Sequence, residues 1–260
     1  MSACELFFTE DGSHRAPPLL LGPSLGTSTA MWDPNVARLG EYFRVIRYDH
    51  RGEGNSPVPP GPYDIGDLGR DVLALMDRLA IERTDYAGVS LGAMVGMWIA
   101  ANAPERIHRL VLICTAAHLP PASLWQERAS AVREAGTVAA VADAVSEKWL
   151  TPQFAEQFPG QRERLRDMLA SQPAAGYAEC CGVVERLDLR LQLGSIEAPT
   201  LVIAGREDQA APPDRQQEIA DAIPGARLEV ISPAAHIASF ERAATANGLI
   251  LGHLDVREAA

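Results

Sequence analysis

Gly88-Val89-Ser90-Leu91-Gly92 is the stretch whose residue types and spacing could do chemistry. A serine flanked at two residues on either side by glycine fits a very sharp strand-to-helix turn. A Cβ at either glycine would clash where strand and helix pack together. Such a turn forces the serine into strained backbone and lifts its hydroxyl above the sheet. The helix expected over 91–103 aims free N–H groups and its dipole at the same place, favouring a developing negative charge. The chemistry implied is nucleophilic attack by a hydroxyl, with an oxyanion forming beside it. The same pattern also arises in a glycine-rich turn with a solvated serine. The chain must therefore also supply a base, an acid and a second oxyanion donor, in order.

In parallel sheets ligands sit beyond the carboxyl ends of the strands, so the residues that follow strands are the ones to search. After a strand ending near Gly205 come Arg206-Glu207-Asp208-Gln209, and after one ending at Ile231 come Ser232-Pro233-Ala234-Ala235-His236. The order serine, acid, histidine is that of a hydrolytic triad. His236 is the base candidate. Of the other histidines, His14 and His253 lie near the ends, His108 precedes a strand, and His50 and His118 occupy loops. The acid is Asp208 or Glu207. The stretch 115–118, after an earlier strand, offers no carboxylate, so the acid must come from the later loop, and Asp208 is preferred there because a shorter carboxylate holds an imidazole more rigidly. His236 would take the Ser90 proton while Asp208 fixes its tautomer. The oxyanion donors would be the N–H groups of Leu91 and, in the Ser24-Leu25-Gly26 loop, of Leu25.

The elements that must position these groups follow from apolar patterning. Strands are expected at 6–9, 17–22, 43–49, 84–89, 110–113, 199–205 and 227–231, from their β-forming and continuous apolar residues. Helices are expected from Met31 and Trp32 onward, over 65–79, at 213–222 and at 238–251. Strands alternating with helices imply an α/β fold with a mostly parallel, doubly wound sheet. Residues 119–190 lack strand-like runs and are rich in Ala, Glu, Gln, Leu and Arg, which suits several short helices. The expected organisation is a core of 1–118 and 191–260 with a helical lid at 119–190, inserted between a sixth and a seventh strand. The Asp49–Ser56 stretch resembles a phosphate loop but fits neither glycine pattern for nucleotides, so internal hydrogen bonding is its expected role.

Composition narrows the function classes. With 260 residues, 47% hydrophobic content and a net charge of −11, the chain suits one large domain. Its acidity gives no reason to seek nucleic acid or an anionic membrane surface, though it admits a small anionic substrate. Met1 to Leu6 lacks the basic and apolar regions of a signal peptide, which favours the cytoplasm. Cys4, Cys114, Cys180 and Cys181 fit neither a zinc site nor a disulfide framework, and adjacent Cys180-Cys181 suit helix packing. No metal or organic cofactor is implied, and the oligomeric state is not readable.

Over nearly its whole length the chain resembles the α/β-hydrolase family, and within it the branch of 3-oxoadipate enol-lactonases. The residues carrying this are Ser24-Leu25-Gly26-Thr27, Met31-Trp32-Asp33-Pro34, Tyr48-Asp49-His50-Arg51-Gly52-Glu53-Gly54-Asn55-Ser56 and the Ser90 turn. In the lid they are Trp125, Arg128, Trp149-Leu150-Thr151-Pro152, Gly176-Tyr177-Ala178-Glu179-Cys180-Cys181 and Asp188-Leu189-Arg190. Pro23 and Ala93 depart from the family pattern. The resemblance implies opening of an anionic enol-lactone through an acyl-enzyme in aromatic-compound catabolism. It also implies Arg128 or Arg133 as partner of the substrate carboxylate, with Trp125 and Trp149 as walls. Alternatives are a general carboxylesterase or lactonase, a cofactor-free haloperoxidase, and a non-catalytic binder on the same scaffold.

Overall fold

Strands covered on both faces need apolar residues at every position, and the runs at the middle of this chain provide them. In the computed structural model, which describes residues 3–255, they line up as the centre of one sheet. The expectation of no leader falls partly on Met1 and Ser2, outside the described residues. The first half alternates as β1 (Phe8–Asp11), β2 (Pro18–Gly22), α1 (Asp33–Leu39), β3 (Arg44–Tyr48), α2 (Ile65–Arg78), β4 (Thr84–Val89), α3 (Leu91–Asn102) and β5 (Ile107–Ile113). Five helices follow: α4 (Ala122–Ala135), α5 (Ala139–Ser146), α6 (Pro152–Gln157), α7 (Pro159–Ala170) and α8 (Ala174–Arg186). The chain then returns through β6 (Thr200–Gly205), α9 (Pro213–Ala222), β7 (Arg227–Ile231), α10 (Ala238–Glu241) and α11 (Ala243–His253).

The strand order is β1-β3-β2-β4-β5-β6-β7, parallel except for β1, which runs antiparallel to β3. Leu19, Leu20 and Leu21 of β2 and 110–113 of β5 are fully buried. Each such side chain contributes about 1.5–3 kcal/mol relative to exposure. From β2 the chain steps to one side, to β3; from β3 it steps back past β2 to β4. With right-handed crossovers this reversal puts α1 and α2 on opposite faces. The packing follows: α1 contacts α11, and α2 contacts α3. The reversal also opens a crevice between the carboxyl ends of β2 and β4, where ligands bind in such sheets.

Several expected elements shift. The first strand begins at Phe8 rather than Leu6, and Leu6 is buried ahead of it. His108 lies inside β5, not before it, and meets Asp85 at 3.0 Å. The last helix is two, broken at Arg242, whose backbone leaves the helical region at φ −125° and ψ 49°. The helical block interrupts the sheet between its fifth and sixth strands, because only five strands precede it.

A cluster of glycines makes the β4–α3 turn possible. A Cβ on Gly88 would lie 2.4 Å from the Gly92 carbonyl carbon, and one on Gly92 would lie 2.4 Å from that of Gly22. Both obstructions are backbone and cannot rotate away. Gly92→Ala should therefore behave as an overpacked core variant, costing about 2 kcal/mol or more. Differential scanning calorimetry should show Tm lowered by roughly 4–8 °C. An unchanged Tm would mean that β2 and α3 can separate freely.

Candidate active site

Ser90 takes φ 52° and ψ −114°, a region that L-residues rarely occupy. Two bonds from the end of β5 hold it there: the Ser90 N–H donates to Ile113 O at 2.9 Å, and the Thr115 hydroxyl donates to Ser90 O at 2.9 Å. The following turn is tied to the neighbouring loop by Gly92 N–H donating to Pro23 O at 2.9 Å. The Leu25 loop and the first turn of α3 are thus fixed against each other. Neither the Leu25 N–H nor the Leu91 N–H donates to an acceptor among the described residues. In the Leu25 case the reason is visible. Ser24 O, on the same peptide plane, accepts from Thr27 N (3.1 Å) and from its hydroxyl (2.7 Å), leaving the opposed N–H unused.

The candidate acid and base stand at the next two strand ends. The His236 Nδ1 lies 2.9 Å from Asp208 Oδ2 and 3.1 Å from Oδ1. A carboxylate only accepts, so Nδ1 carries the proton and Nε2 the lone pair. Asp208 is held in turn by the N–H groups of Ala210 and Ala211, at 2.8 and 2.9 Å on Oδ1. Glu207 is exposed and accepts Ala234 N–H at 2.8 Å, bracing the histidine loop from outside. Ser90, Asp208 and His236 are all buried. Cys114 supports the pair from below: it sits at φ 47°, its thiol donates to Ala235 O at 3.6 Å, and burial, with Asp208 alongside, raises its pKa.

The helical block reaches this site through one carboxylate that sequence reasoning missed. Glu241 of α10 accepts from Thr151 Oγ1 (2.5 Å), Thr151 N (3.2 Å) and Ala235 N (2.9 Å). Ile237 N–H also donates to Trp149 O at 2.9 Å. Trp149, nearly fully buried, is thereby tied to the backbone of the residue after His236. Glu241 has no local sequence signal, since its partners lie six and ninety residues away.

Of the other three expected binding residues, Trp125 and Arg128 meet and Arg133 stands apart. Trp125 is half-buried and donates its Nε1–H to Leu119 O at 3.0 Å. The Arg128 guanidinium stacks 4.6 Å from the Trp125 ring centre and stands beside the Tyr177 phenol, whose upward shift by burial it opposes. No carboxylate pairs with Arg128 among the described residues. Arg133 is exposed and spends its charge on Glu179 at 2.9 Å. Of the two arginines, only Arg128 is turned inward with its charge unpaired.

The Asp49–Ser56 loop is held by internal hydrogen bonds. Asp49 accepts Thr29 and Asn55 N–H at 2.6 and 2.8 Å, and the Ser56 hydroxyl donates to Asp49 O at 2.7 Å. Fully buried His50 contacts Pro23 O through Nε2 at 3.0 Å, so that nitrogen donates. An open groove of about 740 Å³ between α1 and α11, lined in part by Pro34, Tyr42 and Asn247, contains none of these residues. No described helix is long and apolar enough to cross a membrane.

The sequence pattern of the alpha/beta hydrolase fold matches residues 17–243. The chain belongs to the alpha/beta hydrolase fold family. It is 39% identical over 231 residues to 3-oxoadipate enol-lactonase 2 of Acinetobacter baylyi, covering 89% of this chain and 86% of the relative. Among solved structures, the enol-lactonase from Burkholderia xenovorans superposes with TM-score 0.94 at 40% identity, covering 96% of each chain. A hydrolase from Pseudomonas aeruginosa superposes with TM-score 0.93 at 42% identity, covering 96% of this chain and 94% of that one.

Two outcomes are expected. Asp208→Asn should lower kcat for ester hydrolysis by on the order of 10⁴ with the fold intact, because the amide favours the wrong imidazole tautomer. Glu207→Gln should cost less than tenfold; the reverse ranking would transfer the acid role to Glu207. Burial lowers the His50 pKa to about 4, against the usual 6.5. The unfolded chain therefore binds this proton first, so the stability His50 confers is complete above pH 6.5 and lost as pH falls through 4. Tm should drop between pH 6.5 and 4.5 in the unaltered protein, and less steeply in His50→Gln.

Proposed function

We propose that this chain is a serine hydrolase that opens 3-oxoadipate enol-lactone to 3-oxoadipate through an acyl-enzyme. The observation that carries the chemistry is the strained Ser90 turn at the same sheet edge as the Asp208–His236 pair. The substrate class rests on likeness, across most of both chains, to proteins named enol-lactonases.

The steps follow from the roles of the groups. His236 Nε2 takes the hydroxyl proton as Ser90 Oγ attacks the lactone carbonyl. Asp208 keeps the imidazole oriented and stabilises its cation. The oxyanion meets the unused N–H groups of Leu25 and Leu91, each worth roughly 10²–10³ in kcat. Collapse breaks the bond to the ring oxygen. That oxygen leaves with the proton His236 had taken, as an enol that tautomerises to the ketone, and His236 is again a base. Water, deprotonated by His236, then releases the acid and restores Ser90.

The free carboxylate of such a substrate needs a cation in a partly dry site. Arg128 fits, being inward, unpaired and held planar against Trp125, whereas Arg133 is already paired on the surface. A planar guanidinium can meet a carboxylate with two parallel bonds. The helical block 119–190 acts as the lid that presents it, and the buried Trp149 closes the wall on the side of the histidine loop.

The test compares the enol-lactone with p-nitrophenyl acetate. The lactone should be strongly preferred, and Ser90→Ala should lower kcat on both substrates by on the order of 10⁶. Arg128→Met should raise KM for the lactone about 30-fold, the lower end for a desolvated charge pair, and leave the uncharged ester unaffected. Arg133→Met should change neither. Ester turnover without lactone turnover would refute the assigned substrate while leaving the serine mechanism standing.

A further inference from the structure

Glu53 is a fully buried carboxyl that the proposed reaction does not use. Its Oε1 accepts the Gly26 N–H at 2.7 Å. Its Oε2 is buried without a hydrogen-bond partner among the described residues. No cation pairs with it among those residues, and the charge that acts on it is that of another acid, Asp49. A carboxylate in that place would be a buried charge with one N–H donor and a like-charged neighbour, which costs far more than a neutral acid does.

The bond to Gly26 matters because of what precedes it. Two peptide planes flank Leu25. The Ser24–Leu25 plane is fixed through Ser24 O by Thr27, and the Leu25–Gly26 plane is fixed through Gly26 N–H by Glu53. Gly26 sits at φ 79°, with the Tyr177 ring and the Leu169 side chain against its α-carbon. Without Glu53, the second plane would be free to turn at a glycine, and the Leu25 N–H would be held from the Thr27 side alone.

We propose that Glu53 is a positioning residue for the oxyanion loop: as a neutral acid it anchors the Gly26 N–H, and in charged form it opposes the oxyanion. This rests on Ser90 acylation with the Leu25 N–H as donor. A negative charge one peptide from that donor would raise the energy of the tetrahedral intermediate in a medium that screens poorly.

The surroundings make Glu53 the group that changes charge in the alkaline range. Burial, reinforced by Asp49, pushes its pKa up to about 8. Asp49 faces it from the same loop. Tyr177, Cys180 and Cys181 face it from α8, and burial raises all three, Cys181 to about 12. The folded pKa of Glu53 lies above its usual value near 4.5, so the folded chain binds the extra proton. The stability this confers is complete below about pH 4.5 and lost as pH rises through 8.

The experiment is the pH profile of kcat/KM on p-nitrophenyl acetate from pH 5.5 to 9.5 for the unaltered protein, Glu53→Gln, Glu53→Met and Ser90→Ala. The unaltered protein should lose activity above pH 8, approaching tenfold per pH unit. Glu53→Met, lacking the acceptor, should be reduced at every pH by roughly 10–100-fold. Glu53→Gln keeps an oxygen for Gly26 and cannot ionise; it should rescue the Met variant and lack the alkaline limb. A limb unchanged in Glu53→Gln, with Ser90→Ala inactive, overturns the role of Glu53. Turnover by Ser90→Ala overturns the serine reading instead. Should Glu53→Gln not fold, carbon-13 NMR of the unaltered protein decides: one glutamate carboxyl should titrate near pH 8, and its absence overturns the proposal.

Discussion

The contact between Gly22 and Gly92 governs the geometry of everything around it. A Cβ on Gly92 would strike the Gly22 carbonyl at 2.4 Å, one on Gly22 would strike the Tyr86 hydroxyl at 2.3 Å and the Gly92 α-carbon at 3.0 Å, and Gly92 N–H donates across the gap to Pro23 O. One end of this contact is the loop with the Leu25 N–H; the other is the first turn of α3 with Leu91. Two N–H groups from separate segments are thus held at one spacing, with the Thr27 and Glu53 side chains fixing the peptide planes of the loop. Preorganisation of this kind removes reorganisation from the reaction step, which is where such donors gain their strength. The reversal of strand order at β2 is what makes these strand ends neighbours.

The buried acids show how the interior tolerates charge around that contact. Asp71 forms a two-point pair with Arg51 at 2.5 Å on both oxygens. Asp49 takes two N–H groups, Asp208 takes His236 and two N–H groups, and Glu241 takes three donors from two segments. Each has the partners that burial of charge demands. Glu53 has one donor and stands apart. Hydrogen-bonded acids fasten segments remote in sequence: Glu241 joins the helical block to the histidine loop, and Asp71 binds Arg51 of the β3 loop to α2.

Much of this could be read along the chain, for physical reasons. Continuous apolar runs mark strands covered on both faces, so β2, β5 and β6 fall where their leucines, isoleucines and valines do. The helix α2 is legible from apolar residues at helical spacing, and in the structure Asp64 and Asp67 cap its start reciprocally. The Ser90 turn is legible because only glycine satisfies its close approaches. Legibility ends where a role depends on a distant partner. Glu241 looks like any acid in a short helix until Thr151 and Ala235 fold against it. Arg128 and Arg133 both read as lid arginines, yet five residues of helix turn them about 140° apart, so they cannot face the same way. Which one points inward depended on Glu179 of α8, 46 residues away, taking the other. The break at Arg242 has no glycine or proline to announce it.

The central claim is that the strained turn and the Asp208–His236 pair together make Ser90 a nucleophile. Reaction with a fluorophosphonate, read by peptide mass spectrometry, tests it most directly. The account predicts one adduct, on Ser90, formed far more slowly in Asp208→Asn and His236→Ala. An adduct on another residue, or labelling of Ser90 at the same rate in both variants, would contradict it.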